Sequence, residues 1–444
     1  MDKKVVVIGA GSAGASACFA ARKHTRDVKI TCINDEEFPT YSRCALPFVV
    51  GGEIENFDIP TVFSFEFYEK QKVDLKTSTI VRSVDTDNKV VKTDKGDFPY
   101  DALVITTGGK TKIPGIPGTD LPGVKVLRTR LDGEDLFKEG RKGRTAVVNG
   151  ASFIALEVAE ALKLRGMDVK IVIRSRALRS MIDTPLSQVV EDKLVEKGID
   201  ILKGEAVSAV LGDDKVNGVK VGDAEIPADI VVMCTGTAPE VELARSMGIE
   251  IGELGGIKVD DRLETNIKDV YAAGDCVESE CFIRKTPVLN GLGTIATRQG
   301  MVAGINAAGG DLKAPPVLSA SVMRLFDVDI GAVGPTEDFA KEAGIDVAIS
   351  TVKYPSLPHY YPGGKDVQVR LLADKTTGKI IGGQIIVHKG AAERINMLSM
   401  AILKGTTAQE LNMADFCYSP PCSDTWAAEA IAAQGLVRRL ERKK

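Results

Sequence analysis

The segment YSRCALPFVVGG, residues 41–52, holds one cysteine, Cys44, ahead of an apolar run that reads as a short helix. A nucleophilic thiol needs a lowered pKa, and a helix N-terminus is one means of lowering it. Ser42 is placed to cap that helix, and Pro47 is tolerated in its first turn. Taken alone, Cys44 reads more plainly as a buried structural thiol, as do Cys18 and Cys32 in their apolar patterns.

A second chemical pattern is Gly9-Ala10-Gly11-Ser12-Ala13-Gly14, which follows the apolar run Val5–Ile8 and opens an Ala-rich stretch. In such a loop Gly9 permits the tight turn and Gly11 lets a pyrophosphate approach the backbone at a helix N-terminus. Gly14 lets helix and strand pack closely. A carboxylate at the end of the next strand binds the ribose, and Asn34 and Asp35 compete for that place. Gly150-Ala151-Ser152-Phe153-Ile154-Ala155 repeats the plan with small residues for the middle and last glycines. Its next strand ends in IRSRALRS, where Arg174, Arg176 and Arg179 stand and no carboxylate does. That cluster favours the 2′-phosphate of NADPH, with NADH as the alternative.

These loops need strands and helices to hold them. KKVVVIGAGSAGASACFAARKH with DVKITCIN, and RTAVVNGASFIALEVAEALKLRG with DVKIVIR, each read as a β-α-β unit. YDALVITTGG, ADIVVMCTGTAPE and DVYAAGDC add strands that end in glycine turns. From about residue 320 the pattern becomes an antiparallel sheet with helices. The fold class is therefore α/β, with two Rossmann-like dinucleotide-binding domains and a C-terminal α+β domain. The boundaries are 1–112 with 245–318 for the first domain, 113–244 for the second and 319–444 for the third. The closing RRLERKK reads as a solvated basic helix end.

A net charge of −4 gives no reason to expect nucleic acid or a membrane surface as partner. There is no apolar run of membrane-spanning length, and the N-terminus enters a strand directly rather than a signal peptide. Eight cysteines in 444 residues are too sparse for a disulfide scaffold, so a cytoplasmic setting is expected. No metal is expected, because Cys417 and Cys422 lack a second Cys/His pair to complete a tetrahedral site.

Together GAGSAG, YDALVITTGG, GASFIALE, CTGTAPE and TNIKDVYAAGDC resemble the flavin-dependent pyridine nucleotide-disulfide oxidoreductases, across essentially the whole chain. The resemblance implies FAD at the first site, NAD(P)H at the second and a C-terminal domain that forms a homodimer. It implies that Asp275 binds the ribityl chain, that Thr107 and Gly108 line the flavin, and that Glu157 sits beside the nicotinamide. Ser42, Arg43, Gly236, Gly274 and Thr294 are counted with them as cofactor-binding. The GASFIALE form and the Arg174/Arg179 spacing look like the NADPH-using members.

YSRCALP, YYPGG and YSPPCS look like the single-cysteine branch, which includes coenzyme A disulfide reductases, persulfide or polysulfide reductases, NADH oxidases and NADH peroxidases. Val49 stands where dithiol members carry a second cysteine. Ser12 stands where oxidases and peroxidases typically carry a histidine, which favours the disulfide or persulfide reading over oxygen reduction. An electron-transfer reductase for a protein partner is a further alternative, in which Cys44 is dispensable. With the resemblance, Cys44 reads as catalytic. Among Tyr360, Tyr361 and Tyr418, the resemblance raises Tyr361 and Tyr418 as proton donors to the leaving thiolate. His359 and His388 match no His-Glu catalytic pair and read as structural. Cys422 stands where relatives often have an aromatic residue. It either approaches Cys44 of the partner subunit or fills that space as a small apolar group. For coenzyme A phosphates the basic candidates are Arg22, Lys23 and Arg298, and a smaller disulfide or polysulfide is equally compatible.

Overall fold

Val5, Val6, Val7 and Ile8 are all buried, as befits a strand covered on both faces. They form β1 (Lys4–Ile8), the middle strand of a five-stranded parallel sheet in a computed structural model that describes residues 3–442. β2 (Lys29–Ile33) pairs on one side of β1 with Lys4 opposite Lys29, and Ala102–Ile105 pairs on the other. Val73–Lys76 and Val270–Ala272 form the two edges. α1 (Ser12–His24) buries Ala13, Ala15, Ala17, Cys18 and Ala21. These small side chains let the helix Gly293–Ala307 lie close against it. A single 3₁₀ turn, Arg43–Ala45, carries Cys44 into the short helix α2 (Leu46–Gly51).

The edge strand Val270–Ala272 lies far along the chain because a second unit is inserted before it. The chain leaves and returns through an antiparallel pair, Gly109–Thr111 with Thr237–Pro239. The inserted unit holds α3 (Arg130–Glu139), β3 (Thr145–Asn149), α4 (Phe153–Leu164) and β4 (Asp168–Ile173). Its parallel sheet runs Val124–Lys125, Ile230–Met233, β3, β4, Asp200–Lys203. Each unit also carries a three-stranded antiparallel meander, at Val81–Pro99 and Val207–Pro227.

The C-terminal domain is a five-stranded antiparallel sheet. Its order is Ser321–Leu325, Val328–Val333, Ile380–Val387, Asp366–Asp374, Val347–Pro355. The helices Ala391–Leu403 and Ala428–Glu441 pack their apolar residues on it. The basic RRLERKK closes the second of these helices, and its last two residues lie outside the described ones.

A buried polar knot joins the second and third domains. Asp183 precedes α5 (Thr184–Glu196) but does not cap it through its side chain. Its Oδ2 accepts from Arg370 Nε at 2.7 Å and Gln384 Nε2 at 2.9 Å, and its Oδ1 accepts from the Glu337 amide at 2.9 Å. Arg370 also reaches Glu337 Oε2 at 2.7 Å and Thr351 Oγ1 at 2.8 Å. Burial without partners would be costly for such groups, and here every charge is matched.

Candidate active site

The C-terminal ends of the first sheet's strands open into a cleft of about 330 Å³. Gly9, Gly11, Ser12 and Ala13 line it at the head of α1. Gly9 has φ +100°, and a Cβ there would stand 2.4 Å from the Thr106 carbonyl oxygen. A Cβ on Gly14 would stand 1.8 Å from the Gly9 oxygen, so only glycine closes this turn. Gly11 has open space before it, as approach of a phosphate to the α1 amides requires.

Both candidates at the end of β2 line the cleft, but their side chains differ. Asn34 is buried and used locally. Its Oδ1 accepts from the Ala10 amide, and its Nδ2 donates to the Glu36 and Phe38 carbonyls. Asp35 is exposed at the cleft.

On the opposite wall stand Thr107, Gly108, Gly274 and Asp275. Thr107 Oγ1 donates to the Glu240 carbonyl at 2.6 Å. Thr294 falls outside this wall. It is exposed at the start of the helix Gly293–Ala307, where Gly291, Gly293 and Ala296 supply the lining instead.

Cys44 lines the same cleft and is exposed to it, with Ser42 and Arg43 beside it. Arg43 bonds the Arg128 carbonyl at 2.8 Å, pairs with Glu36 and lies over the Tyr41 ring. Two expectations about Cys44 fail. Ser42 occupies the cap position of the 3₁₀ turn but its side chain makes no capping bond. The thiol is not lowered by its surroundings. Burial pushes it up, and the carboxylates of Glu157 and Asp275 add to that, while Arg128 opposes them. A single 3₁₀ turn followed by a short helix offers little dipole against two carboxylates.

Glu157 is on α4, against which α2 packs. Its carboxyl is pushed up to about 7 by burial and by the neighbouring Glu160. Glu160 accepts the Phe326 amide at 2.9 Å.

At the second loop, Gly150 has φ +134°, and a Cβ there would meet the Cys234 carbonyl oxygen at 2.2 Å. Ser152 precedes α4, followed by Phe153 and Ile154, and makes no capping bond. Its buried hydroxyl has no hydrogen-bond partner among the described residues. An orphaned hydroxyl at a helix N-terminus fits a dinucleotide phosphate. Gly236, φ +102°, stands in the turn before the returning strand.

Arg176 does not join the phosphate cluster. Its guanidinium turns inward, donating to the Ile182 carbonyl and to Ser187 Oγ at 3.1 Å and facing Asp338 at 3.3 Å. Arg174 and Arg179 are exposed and have no ion-pair partner among the described residues.

Arg22 is likewise consumed, by the carbonyls of Gln71, Arg26 and Lys72. Lys23 and Arg298 are exposed.

Tyr361, Tyr418 and Cys422 are exposed and none of them lines the cleft of Cys44. Tyr418 bonds Tyr360 rather than Tyr361, hydroxyl to hydroxyl at 2.6 Å. Cys18 and Cys32 are fully buried. Among the described residues no three His, Cys, Asp or Glu side chains are grouped to hold a metal ion, and no helix is long and apolar enough to cross a membrane.

Sequence reasoning missed Arg128. Its Nη2 pairs with Asp275 Oδ2 at 2.9 Å and its Nε bonds the Gly109 carbonyl at 2.9 Å. The only sequence signal was its place just before Thr129, whose capping box with Asp132 starts α3.

Residues 3–300 match the pyridine nucleotide-disulphide oxidoreductase family, and residues 321–430 match that family's dimerisation domain. The chain belongs to this family. Among the oxidoreductase's relatives is an NADH oxidase of Methanocaldococcus jannaschii, 36% identical over 99% of this chain and 100% of the relative. An NAD(P)H coenzyme A polysulfide/persulfide reductase of Pyrococcus horikoshii is 31% identical over 98% of this chain and 99% of the relative. The oxidoreductase also superposes on an NAD-dependent persulfide reductase from A. fulgidus with TM-score 0.94 and 33% identity, covering 99% of this chain and 83% of that one. The family uses FAD and NAD(P)H, and the two glycine loops fit one dinucleotide each.

Proposed function

We propose that this oxidoreductase reduces a low-molecular-weight disulfide, persulfide or polysulfide through Cys44. The observation that carries the reading is the shared cleft. One exposed thiol faces the glycine loop of α1 and the Gly274-Asp275 turn across the same space. Bound FAD supplies the two electrons, taken as hydride from NAD(P)H. Gly9, Gly11, Ser12 and Ala13 hold its pyrophosphate, with Gly14 closing the turn behind them, Asp35 holds its ribose, and Thr107, Gly108, Gly274 and Asp275 the remainder. Gly150, Ser152, Phe153 and Ile154 hold the nicotinamide dinucleotide, with Gly236 and Glu157 towards its reactive ring. The proposed division is 1–112 with 245–318, 113–244 and 319–444; each large sheet falls within one part, whereas the 244/245 boundary cuts the helix Glu242–Ser246, whose Ala244 packs in the first part's core.

The Cys44 thiolate attacks one sulfur of the acceptor, and the sulfur–sulfur bond breaks. One half leaves as a thiolate and takes a proton. The other half stays bonded to Cys44 until two electrons and a proton release it as a thiol and restore the thiolate. A hydroxyl from the Tyr360–Tyr418 pair, or Tyr361, supplies the proton to the leaving group across a homodimer, which the matched dimerisation domain supports. Coenzyme A fits as a substrate moiety with Lys23 and Arg298 for its phosphates. The eight free cysteines fit a reducing, cytoplasmic setting. The reading is tested by reducing the protein anaerobically with NADPH and offering a panel of acceptors to wild type and Cys44→Ser.

Arg174 and Arg179 are the proposed 2′-phosphate contacts. Each charge-assisted bond is worth about 1.5–3 kcal/mol, so Arg174→Ala or Arg179→Ala will raise the KM for NADPH by about tenfold or more. The KM for NADH will not move. Arg176→Ala will instead lower the thermal midpoint, because it leaves the Ile182 carbonyl and Ser187 without their donor.

Cys422 is proposed to approach Cys44 of the partner subunit, as a resolving thiol or a holder of substrate sulfur. Cys422→Ser will lower kcat with persulfide acceptors by about 10²-fold if it shares the chemistry, the lower end of what one lost acid–base group costs. Steady-state kinetics identical to wild type on every acceptor would reduce it to a space-filling residue.

The 36% identity to an NADH oxidase favours a second reading, oxygen reduction at the same thiol. Ser12 brings no imidazole to the α1 loop, which weighs against it. Oxygen uptake during NAD(P)H oxidation, compared with thiol release from a disulfide, separates the two.

A further inference from the structure

The segment FCYSPPCSD, ahead of the helix Ala428–Glu441, places Cys417 and Cys422 on the two flanks of one turn. The Ser419 carbonyl accepts the Cys422 amide at 2.8 Å and the Ser423 amide at 2.9 Å, and Ser419 and Ser423 face each other as an antiparallel bridge. Ser423 Oγ donates to the Cys417 carbonyl at 2.8 Å, so the residue after one cysteine is bonded to the backbone of the other. Pro420 and Pro421 fix φ at the two positions before Cys422. Tyr418, between the thiols, is held from outside by the Tyr360 hydroxyl at 2.6 Å. The turn is therefore already closed with both thiols reduced, and a disulfide across it adds little loop-closure cost. Both thiols are exposed, and of the other free cysteines only Cys44 is exposed too, in a cleft that neither of them lines. No third His, Cys, Asp or Glu is grouped with them among the described residues, so the pair lacks the ligand set of a metal site.

We propose that Cys417 and Cys422 are a second redox dithiol, which a low-molecular-weight disulfide closes to an intrachain disulfide and NADPH reopens. The acceptor class and the electron route rest on the reading of Cys44 as the reacting thiol, whereas the closure of the turn needs neither Cys44 nor flavin. One exposed thiolate of the pair attacks a sulfur of the acceptor, the acceptor's sulfur–sulfur bond breaks, and one half leaves as a thiolate. The second cysteine gives its proton to the medium, and its sulfur attacks the first. The other half leaves as a thiolate, and both halves take up protons. The turn has lost two electrons and the acceptor has become two thiols. The second attack is intramolecular, with an effective concentration on the order of mM or above for so short a linker. It therefore outruns capture of a second acceptor molecule at micromolar concentration. Reopening consumes one hydride from NADPH and one proton. An exposed disulfide in a short loop belongs to the reducible class rather than the structural one.

The test uses FAD-loaded full-length protein, reduced, freed of thiol reductant and given micromolar 2-hydroxyethyl disulfide before free thiols are blocked with N-ethylmaleimide. Trypsin releases residues 405–438 as one peptide whose only cysteines are Cys417 and Cys422. In the wild type its mass will fall by that of two hydrogens. In Cys417→Ser and Cys422→Ser the remaining cysteine will instead keep one hydroxyethylthio group, since no second thiol in the turn expels it. A wild-type peptide that keeps such a group, stays fully blocked by maleimide, or links two subunits on a non-reducing gel overturns the proposal. NADPH added without oxygen will then reopen the wild-type disulfide, read as recovery of both maleimide-reactive thiols in the peptide. Failure to reopen overturns the proposal as well. Cys44→Ser separates the two readings. Closure intact with reopening lost ties the electrons to Cys44. Reopening at the wild-type rate would sink the reading of Cys44 and leave the dithiol standing.

Discussion

Cys44→Ser will lower turnover with every disulfide, persulfide and polysulfide acceptor by on the order of 10³-fold or more, the scale on which removal of a covalent nucleophile acts. It will leave NADPH oxidation by an artificial acceptor such as ferricyanide, which needs no thiol, near the wild-type rate. Serine keeps the size of the side chain and removes the sulfur. Its hydroxyl ionises far above the working pH and forms no disulfide. No other thiol can take over within the chain: Cys18, Cys32, Cys234 and Cys276 are buried, and of the eight cysteines only Cys44 lines the cleft. Ser42 makes no capping bond and the 3₁₀ turn is held through Arg43, so the exchange leaves the local backbone intact. Full activity of the variant with all sulfur acceptors would remove the covalent mechanism and move the reading to direct electron transfer to a partner.

Features set by local pattern were open to sequence reasoning. Gly9, Gly14 and Gly150 are spaced by the turn geometry itself, so their roles and the two β-α-β units followed from the residues alone. The Cys44 turn was also visible, because an apolar run after a polar stretch fixes where a short helix begins. What stayed hidden depends on contacts between distant segments. Arg176 has the right type and spacing for a phosphate ligand, yet Ser187, the Ile182 carbonyl and Asp338 draw it inward. Arg22 is diverted in the same way by the carbonyls of Gln71 and Lys72. Periodicity does not report which arginine finds orphan carbonyls. The thiol environment was misjudged for a related reason. Glu157 and Asp275 lie 113 and 231 residues beyond Cys44 in the sequence, and only the fold brings their charges to it. The two antiparallel meanders passed unread because their strands are short and half polar.

Asp183→Ala will destabilise the protein by about 3–5 kcal/mol, the cost of removing one member of a buried ion pair. Asp183 and Arg370 side chains are 4% and 9% exposed, so water cannot replace the lost partner. The substitution leaves Arg370 Nε and Gln384 Nε2 without their acceptor and the Glu337 amide without Oδ1. Glu337, at 34% exposure, still pairs with Arg370 but is itself partly solvated. Asp183→Asn keeps two acceptor lone pairs and the size of the group, and will cost less. Arg370→Met removes the buried cation with its partner intact and will also destabilise, since Asp183 is then the unmatched charge. The double variant Asp183→Ala with Arg370→Met takes both charges out together. It will be more stable than the sum of the single effects predicts, by about 1–3 kcal/mol of coupling. Urea unfolding of the four proteins measures this cycle, and strict additivity would show that the two side chains do not interact. Neither residue lines the cleft of Cys44, so kcat at 25 °C will hold in whatever fraction stays folded. The knot joins the inserted unit to the C-terminal domain through Asp183, Arg370, Gln384 and Glu337.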